Sequence, residues 1–384
     1  MGSAPSVDVN IAPAVISDGS LTSTNSVLLA YAAATGPTQP VTVRSAAAAV
    51  AAGVPVAVAQ QVADLITGGV PQIVLTRTNT AVASAATVDA DGWGEAFELL
   101  DTVNYPLGQV MIPGIGTAAA HEALVAHSQT SRRCAFLDAP VDATAQAIVD
   151  LVELQSDSPD TYLTGMFADW AVVRAGGSAT RQIPGSISAA GPTARMDVKA
   201  GHSNAMPAGP QETGTAGLVS GGLDVVQKRS IADLNLFADH GITPMRRIPT
   251  GVFVWDFLSI TDDELWTNLA SAQGVASPRS QLNWGRLGMQ IIGDAQVGLR
   301  QFLFQQNDGE GQLLNRAESF LGANLAELWS KKAIYGRTAD DSYTAAVTGI
   351  TTSEDVASGT LRAAISYAPT PSVRHVVMQA TVNR

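Results

Sequence analysis

The chain has one cysteine, Cys134, in 384 residues, which excludes an internal disulfide framework and any zinc site built from several thiolates. In the apolar run "CAFL" this thiol is expected to be buried and inert. Long hydrophobic runs are also missing. The longest uncharged apolar stretch, Ala46 to Ala59, is mostly alanine and contains Gly53 and Pro55, so it is too short and too weakly hydrophobic to span a bilayer. The first residues show no basic region followed by an apolar run, so no signal peptide is expected and synthesis should finish in a cytoplasm. Histidine is sparse. His121, His127, His202, His240 and His375 include no pair at a metal-ligand spacing, and no metal is expected. Cations are outnumbered, 22 Lys and Arg against 34 Asp and Glu, so the chain lacks the basic footprint that phosphate binding needs and no nucleic-acid partner is expected.

Hydrophobic residues make up 46% of the chain, enough at this length for a large core and for two or three domains. The net charge of −12 is uneven: residues 1–224 carry 8 Lys and Arg against 19 Asp and Glu, whereas residues 225–384 carry 14 against 15. The last part can therefore present cations to an acidic partner.

From Val27 to about Val173, β-type runs such as "VLLAYAAAT", "QIVLTRT", "GQVMI" and "RRCAFLDAP" alternate with helix-type runs such as "VAVAQQVADLI", "GEAFELLDTV", "TAAAHEALVAHSQT" and "TAQAIVDLVELQ". This rhythm predicts an α/β domain with a largely parallel sheet. Residues 174–224, rich in Gly, Pro, Ser and Ala, read as long loops and short strands. Further on, "SIADLNLFADHGI" predicts a helix stopped by Gly241, "RRIPTGVFVWDFLSI" predicts strands with Trp255 among apolar neighbours, and Ser280 to Tyr335 is mainly helical with a break at "QQNDGEG". In "NLAELWSKKAIYG", Leu325, Leu328 and Trp329 form an apolar face and Lys331 and Lys332 complement the helix C-terminus before Gly336. A short strand region, "TLRAAISYAP", follows. Both ends of the chain read as strands: Val7, Val9 and Ile11 alternate with polar residues at one end, and Val376, Met378, Ala380 and Val382 at the other. Chain ends fray unless they are tied down, so these strands need partners.

Enzyme-like chemistry is thin. In "VMIPGIGTAAAHEALVAHS" a strand runs into Gly114-x-Gly116 with Ala119 three residues on, a helix follows, and Asp138 ends the next strand. The outline matches a dinucleotide-binding pattern and raises the alternative of an NAD(P)-dependent Rossmann-type oxidoreductase, although the pattern is weak and Pro113 disturbs the usual turn. A tight strand-to-helix turn is the plainer reading. "PGSISAAG" places Ser186 and Ser188 near glycines, but it is not a nucleophile elbow and reads as a loop. Asp262 and Asp263 in "TDDELW" are explained by helix-start electrostatics after Thr261. Asp138 in "FLDAP" and Asp169 in "FADW" are strand-end acids with no convergent base or metal partner in view.

Taken in order, the segments resemble the sheath protein of contractile phage tails and related contractile injection particles. The resemblance runs through "ATGPTQPVTVRS", "VADLITGGVPQIVLTR", "VMIPGI", "HSQTSRRCAFLDAP", "FADWAVV", "IPGSISAAGPTARMD", "AMPAG", "DLNLFADHGITPMRRIPTGVFVW" and "SYAPTPSVRHVVMQA". It covers nearly the whole chain and rests on the order and spacing of these segments rather than on any one of them. The chain departs from the family at "WDFLS", where Trp-Gly-Ala-Arg-Thr is typical, at "IPGS" in the two-proline loop, and in lacking the N-terminal Pro-Gly-Val-Tyr.

The resemblance implies a mixed α/β (α+β) fold, with an outer α/β domain inserted into an inner α+β domain and extended N- and C-terminal β-arms. The implied boundaries are an N-terminal arm at 1–20, an outer domain at 21–272, an inner tube-facing domain at 273–371 and a C-terminal arm at 372–384. It implies a structural subunit rather than an enzyme, with no cofactor. Six-fold rings would stack helically around a tail tube and contract without consuming nucleotide. The implied partners are other copies through strand exchange, the tube, and the baseplate and terminator proteins. The implied place is a virion tail or injection particle assembled in a bacterial host cytoplasm, with no membrane insertion. Within it, Val7, Val9, Ile11, Val376, Met378, Ala380 and Val382 would pair between subunits, and Lys331, Lys332 and Arg337 would face acidic tube residues.

Overall fold

Alternation along the first strands sets the architecture. In strand β1 (Ser26–Tyr31), Val27, Leu29 and Tyr31 enter one buried cluster while Leu28 and Ala30 enter another. A strand apolar on both faces needs a layer of helices on each side. The computed structural model, described over residues 24–78, 85–101, 105–156, 161–176, 178–208, 217–261, 281–303, 305–306 and 311–372, supplies those layers.

Strands β2 (Val41–Val43), β3 (Ile73–Arg77), β4 (Gly108–Met111), β5 (Cys134–Asp138) and β6 (Thr164–Phe167) join β1 in a sheet. Strands β7 (Ala171–Gly176), β8 (Ala179–Ile183) and β9 (Gly222–Val225) make a separate antiparallel sheet, and β10 (Ile242–Thr243) returns to the first. The large sheet has the order β10-β6-β5-β4-β1-β3-β2, parallel throughout except for β2 at its edge. The expected βαβα rhythm and parallel sheet are thus present.

Helices α1 (Ala46–Ala51) and α2 (Val56–Gly68) precede β3, and α3 (Ala90–Asp101), α4 (Ala118–Ser131) and α5 (Ala145–Ser156) follow in alternation with the strands. Helix α2 covers one face with Val58, Val62 and Leu65, while α3, α4 and α5 cover the other with residues such as Trp93, Leu124 and Ile148.

One expectation fails here. The segment read as loop contains a 16-residue helix, α6 (Gly185–Ala200), buried along almost its whole length against α2. Gly191 makes this possible, because a Cβ there would lie 2.8 Å from the Cα of Gly68; the two backbones touch where side chains would separate them. Ser186 accordingly follows a strand-to-helix transition, from β8 through Pro184 into α6, and not a surface loop.

Helix α7 (Ile231–Asp239) opens with a Ser230–Asp233 capping box and ends before Gly241, as expected. Strands β11 (Met245–Ile248) and β12 (Gly251–Val254) form a hairpin. Trp255 after it is 45% exposed with the Arg246 guanidinium over its ring, so the expectation of an apolar surrounding is corrected: Phe253 flanks one side and a cation the other.

Helix α8 (Leu282–Leu299) ties the chain together. Its first half places Leu282 and Met289 in the sheet core, and its second half packs Ala295 and Leu299 against Leu314, Ala317 and Leu321 of α9 (Gln312–Ser330). At the junction, fully buried Arg286 pairs with fully buried Asp197 of α6. Strands β13 (Tyr343–Ala346) and β14 (Ala364–Tyr367) form an antiparallel pair beside α9, with the short helix α10 (Ser353–Ala357) between them.

Candidate functional site

The turn after β4 is packed shut. A Cβ on Gly116 would lie 2.5 Å from the Pro140 nitrogen and 2.8 Å from the Asp138 carbonyl oxygen, and one on Gly114 would meet Trp170 at 3.1 Å. These glycines admit the chain's own backbone and rings at the places where a pyrophosphate would have to approach. Helix α4 is already capped by Thr117, whose Oγ1 accepts from the Ala120 amide at 3.3 Å. Asp138, the acid of the pattern, is buried and accepts from the Gly114 amide at 2.8 Å, the Ser186 amide at 2.7 Å and the Ser186 hydroxyl at 2.6 Å. Burial pushes its carboxyl up to about 6, while these hydrogen bonds hold it down against a larger rise. All the elements of the fingerprint are consumed in joining β4, β5 and α6, and the residues do not fit a dinucleotide.

The remaining sequence candidates are structural as well. His121 donates to the Asp138 carbonyl at 3.0 Å and burial lowers its pKa to about 4, so it is neutral. His127 stacks on Phe97 at 4.9 Å and lies 3.0 Å from Arg133, where burial and that cation both disfavour its charged form. Asp169 binds Arg229 at 2.7 Å and the Met245 amide at 3.1 Å. Cys134 is buried, and its pKa rises to about 12 for that reason, as expected of an inert thiol. Among the described residues no group of three or more His, Cys, Asp or Glu can hold a metal ion, and no helix is long and apolar enough to cross a membrane. Asp262 and Asp263 lie outside the described residues.

What the fold does expose is a cationic helix end beside a sheet with open edges. Helix α9 stops at Ser330, and Lys331, Lys332 and Arg337 are all exposed there. They are not equivalent. Lys331 Nζ lies 2.6 Å from Glu327, whereas Lys332 sits over the Trp329 ring at 5.9 Å with a left-handed φ of 66° that ordinarily favours glycine. The segment after β14 returns to this corner: Tyr335 donates to the Ala368 carbonyl at 2.7 Å and Thr370 to the Ala333 carbonyl at 3.0 Å. The chain is thereby held up to Thr370 next to the cations. Among the described residues β13 and β14 pair only with each other, so each presents an open edge. The seven arm residues Val7, Val9, Ile11, Val376, Met378, Ala380 and Val382 lie outside the described residues.

No family model and no curated protein matches this sequence. Solved structures do match its fold. The sheath of an extracellular contractile injection system, PVC, in its contracted state aligns over 100% of this chain and 98% of its own, with a TM-score of 0.71 and 16% identity. The contracted helical sheath of the anti-feeding prophage aligns over 100% and 99%, with a TM-score of 0.69 and 17% identity. A sheath tail protein from Listeria innocua aligns over 94% and 100%, with a TM-score of 0.57 and 10% identity.

The fold is that of a contractile sheath protein. With the Gly114 turn filled by Pro140 and Trp170, the exposed surfaces become the features of interest. The sequence located the cationic end of α9 through its Lys-Lys-x-x-x-Gly punctuation. It gave no sign of the buried Asp197–Arg286 pair, because nothing in "ARMD" or "WGRLG" distinguishes a buried charge from a solvated one.

Proposed function

We propose that this chain is the structural subunit of a contractile sheath, forming helically stacked hexameric rings around a tail tube and contracting to drive that tube through a cell envelope. The observation that carries the reading is the agreement of fold along the whole chain with sheath proteins of two injection particles, at matching lengths. The Gly114 turn and Asp138, the residues behind the oxidoreductase alternative, are taken up in packing.

In this reading rigid subunits slide and rotate into a second packing while extended arms keep neighbours connected. The arms are 1–20 and 372–384, the outer unit is 21–272 and the inner unit is 273–371. The open edges of β13 and β14 offer backbone donors and acceptors to which a neighbour's arm can add as a strand. Lys331, Lys332 and Arg337 face the tube, with Lys332 and Arg337 freer to engage it than Lys331, which Glu327 already holds. Baseplate and terminator proteins bound the assembly, and it forms in the cytoplasm of a bacterial host.

Negative-stain microscopy of the chain co-expressed with a tube protein tests this. Rings or striated tubes are expected, and dispersed single subunits would contradict it. Tube decoration that is unchanged by Lys331→Glu with Lys332→Glu, at low and at high salt, would remove those lysines from the tube contact.

A further inference from the structure

Between Arg77 and Arg132 the chain carries no lysine or arginine, but it carries six carboxylates there: Asp89, Asp91, Glu95, Glu98, Asp101 and Glu122. On α3 the spacing of Asp91, Glu95 and Glu98 is i, i+4, i+7, and all three are exposed, opposite the buried stripe of Trp93, Phe97 and Leu100. Like charges so placed repel one another along a helix. None of the three is ion-paired among the described residues.

The opposite charge collects on the β11–β12 hairpin and the strands beside it. Lys228 and Arg247 share one carboxylate, Asp224, at 3.9 Å and 3.7 Å. Arg174 and Arg246, both exposed, have no carboxylate partner among the described residues. The Arg246 guanidinium lies 4.3 Å from the centre of the Trp255 ring. A guanidinium held over a ring by cation–π attraction keeps its N–H groups for a carboxylate, which it can grip with two parallel hydrogen bonds. Next to it, Arg174, Arg195 and Arg247 line an open cleft of about 510 Å³.

The two charged surfaces cannot neutralise each other within one subunit. Helix α3 packs over β1 and β3 on one face of the sheet, while Met245 and Val254 of the hairpin belong to the core of the other face, where Arg247 lines a cleft with Thr67 of α2.

We propose that the Arg246–Trp255 face of one copy docks on the Asp91–Glu95–Glu98 stripe of a second copy. Because the two surfaces differ, the contact is head-to-tail and propagates into a ring or a helix. The inference deepens the sheath reading by naming surfaces through which copies meet, and its test separates the two.

Two reversals are compared, Glu95→Lys with Glu98→Lys and Arg246→Glu with Arg247→Glu, together with the chain carrying all four. Circular dichroism verifies folding, and the milder pair Glu95→Gln with Glu98→Gln stands in if a reversal does not fold. Sedimentation velocity of the purified chain, at about 20 mM and about 500 mM salt, reads self-association. Each reversal should weaken association at low salt by about tenfold or more, high salt should do the same to the unaltered chain, and the four-fold exchange should restore it. An unaltered chain that stays monomeric at both salts, reversals without effect, or a four-fold exchange no better than either pair would overturn the proposal. Association that needs both faces but builds no tubes would keep this inference and remove the sheath reading; normal tubes from both reversals would do the opposite.

Discussion

Asp294 on α8 carries the clearest pH signature of any single residue. Burial raises its carboxyl to about 7, nearby Glu327 adds to the rise, and Gln290 and Lys331 oppose it; Oδ1 is buried without a hydrogen bond. A carboxyl that titrates higher in the folded state than in the unfolded state binds the extra proton when folded, so its contribution to stability falls as pH rises from about 4 to about 7. Asp294→Asn removes that dependence. The melting temperature of the variant should therefore rise relative to the unaltered protein between pH 5 and pH 8. Thermal melts across that range check it, and a constant difference would mean that Asp294 is solvated. At this scale the sequence was informative where chemistry is local. Cys134 is the inert thiol it was expected to be, and Asp138 and Asp169 are structural acids, but the proton on Asp294 depends on α9 folding back over α8, which no local pattern encodes.

At the scale of elements, legibility follows periodicity. Strands β1, β3, β4, β5 and β6 of the large sheet, α2 to α5, α7 and α9 were legible because each has an apolar run or face of the right period or a recognisable end, such as the run of Val58, Val62 and Leu65, whereas the short β2 and β10 were not. Helix α6 was not, because it is buried all round and built of small residues with Pro192 inside, so it shows neither an apolar stripe nor good helix propensity. Its place is fixed by tertiary contacts: the Gly68–Gly191 approach on one side and the Asp197–Arg286 pair on the other. Removing one member of a buried pair strands the other charge. Arg286→Met should cost about 3–5 kcal/mol in chemical denaturation, and Arg286→Met with Asp197→Leu should recover most of it. If the double variant is no better than the single, the pair is not what joins α8 to α6.

At the scale of the whole molecule, a lattice of the proposed kind would need ends that reach from one chain to the next. The segment up to Thr370 is anchored in its own chain, the Tyr335 amide donating to the Ala368 carbonyl and the Thr370 amide to the Ala333 carbonyl. Deletion of 372–384 should leave the circular dichroism spectrum and melting temperature of the single subunit unchanged, and should abolish assembly on tubes. A deletion that melts several degrees lower would show that the segment pairs within its own chain. The alternation of Val7, Val9 and Ile11, and of Val376, Met378, Ala380 and Val382, reads as two strands that lie outside the described residues, and a pairing between copies would leave no mark on the sequence of one.

The most direct test of a contractile sheath is cryo-electron microscopy of particles assembled with a tube, imaged before and after mild guanidinium treatment. Two helical states are expected that differ in axial rise and share the same subunit body, with neighbours still connected in the shorter one. Particles with one invariant length, or subunits that never assemble, would contradict it.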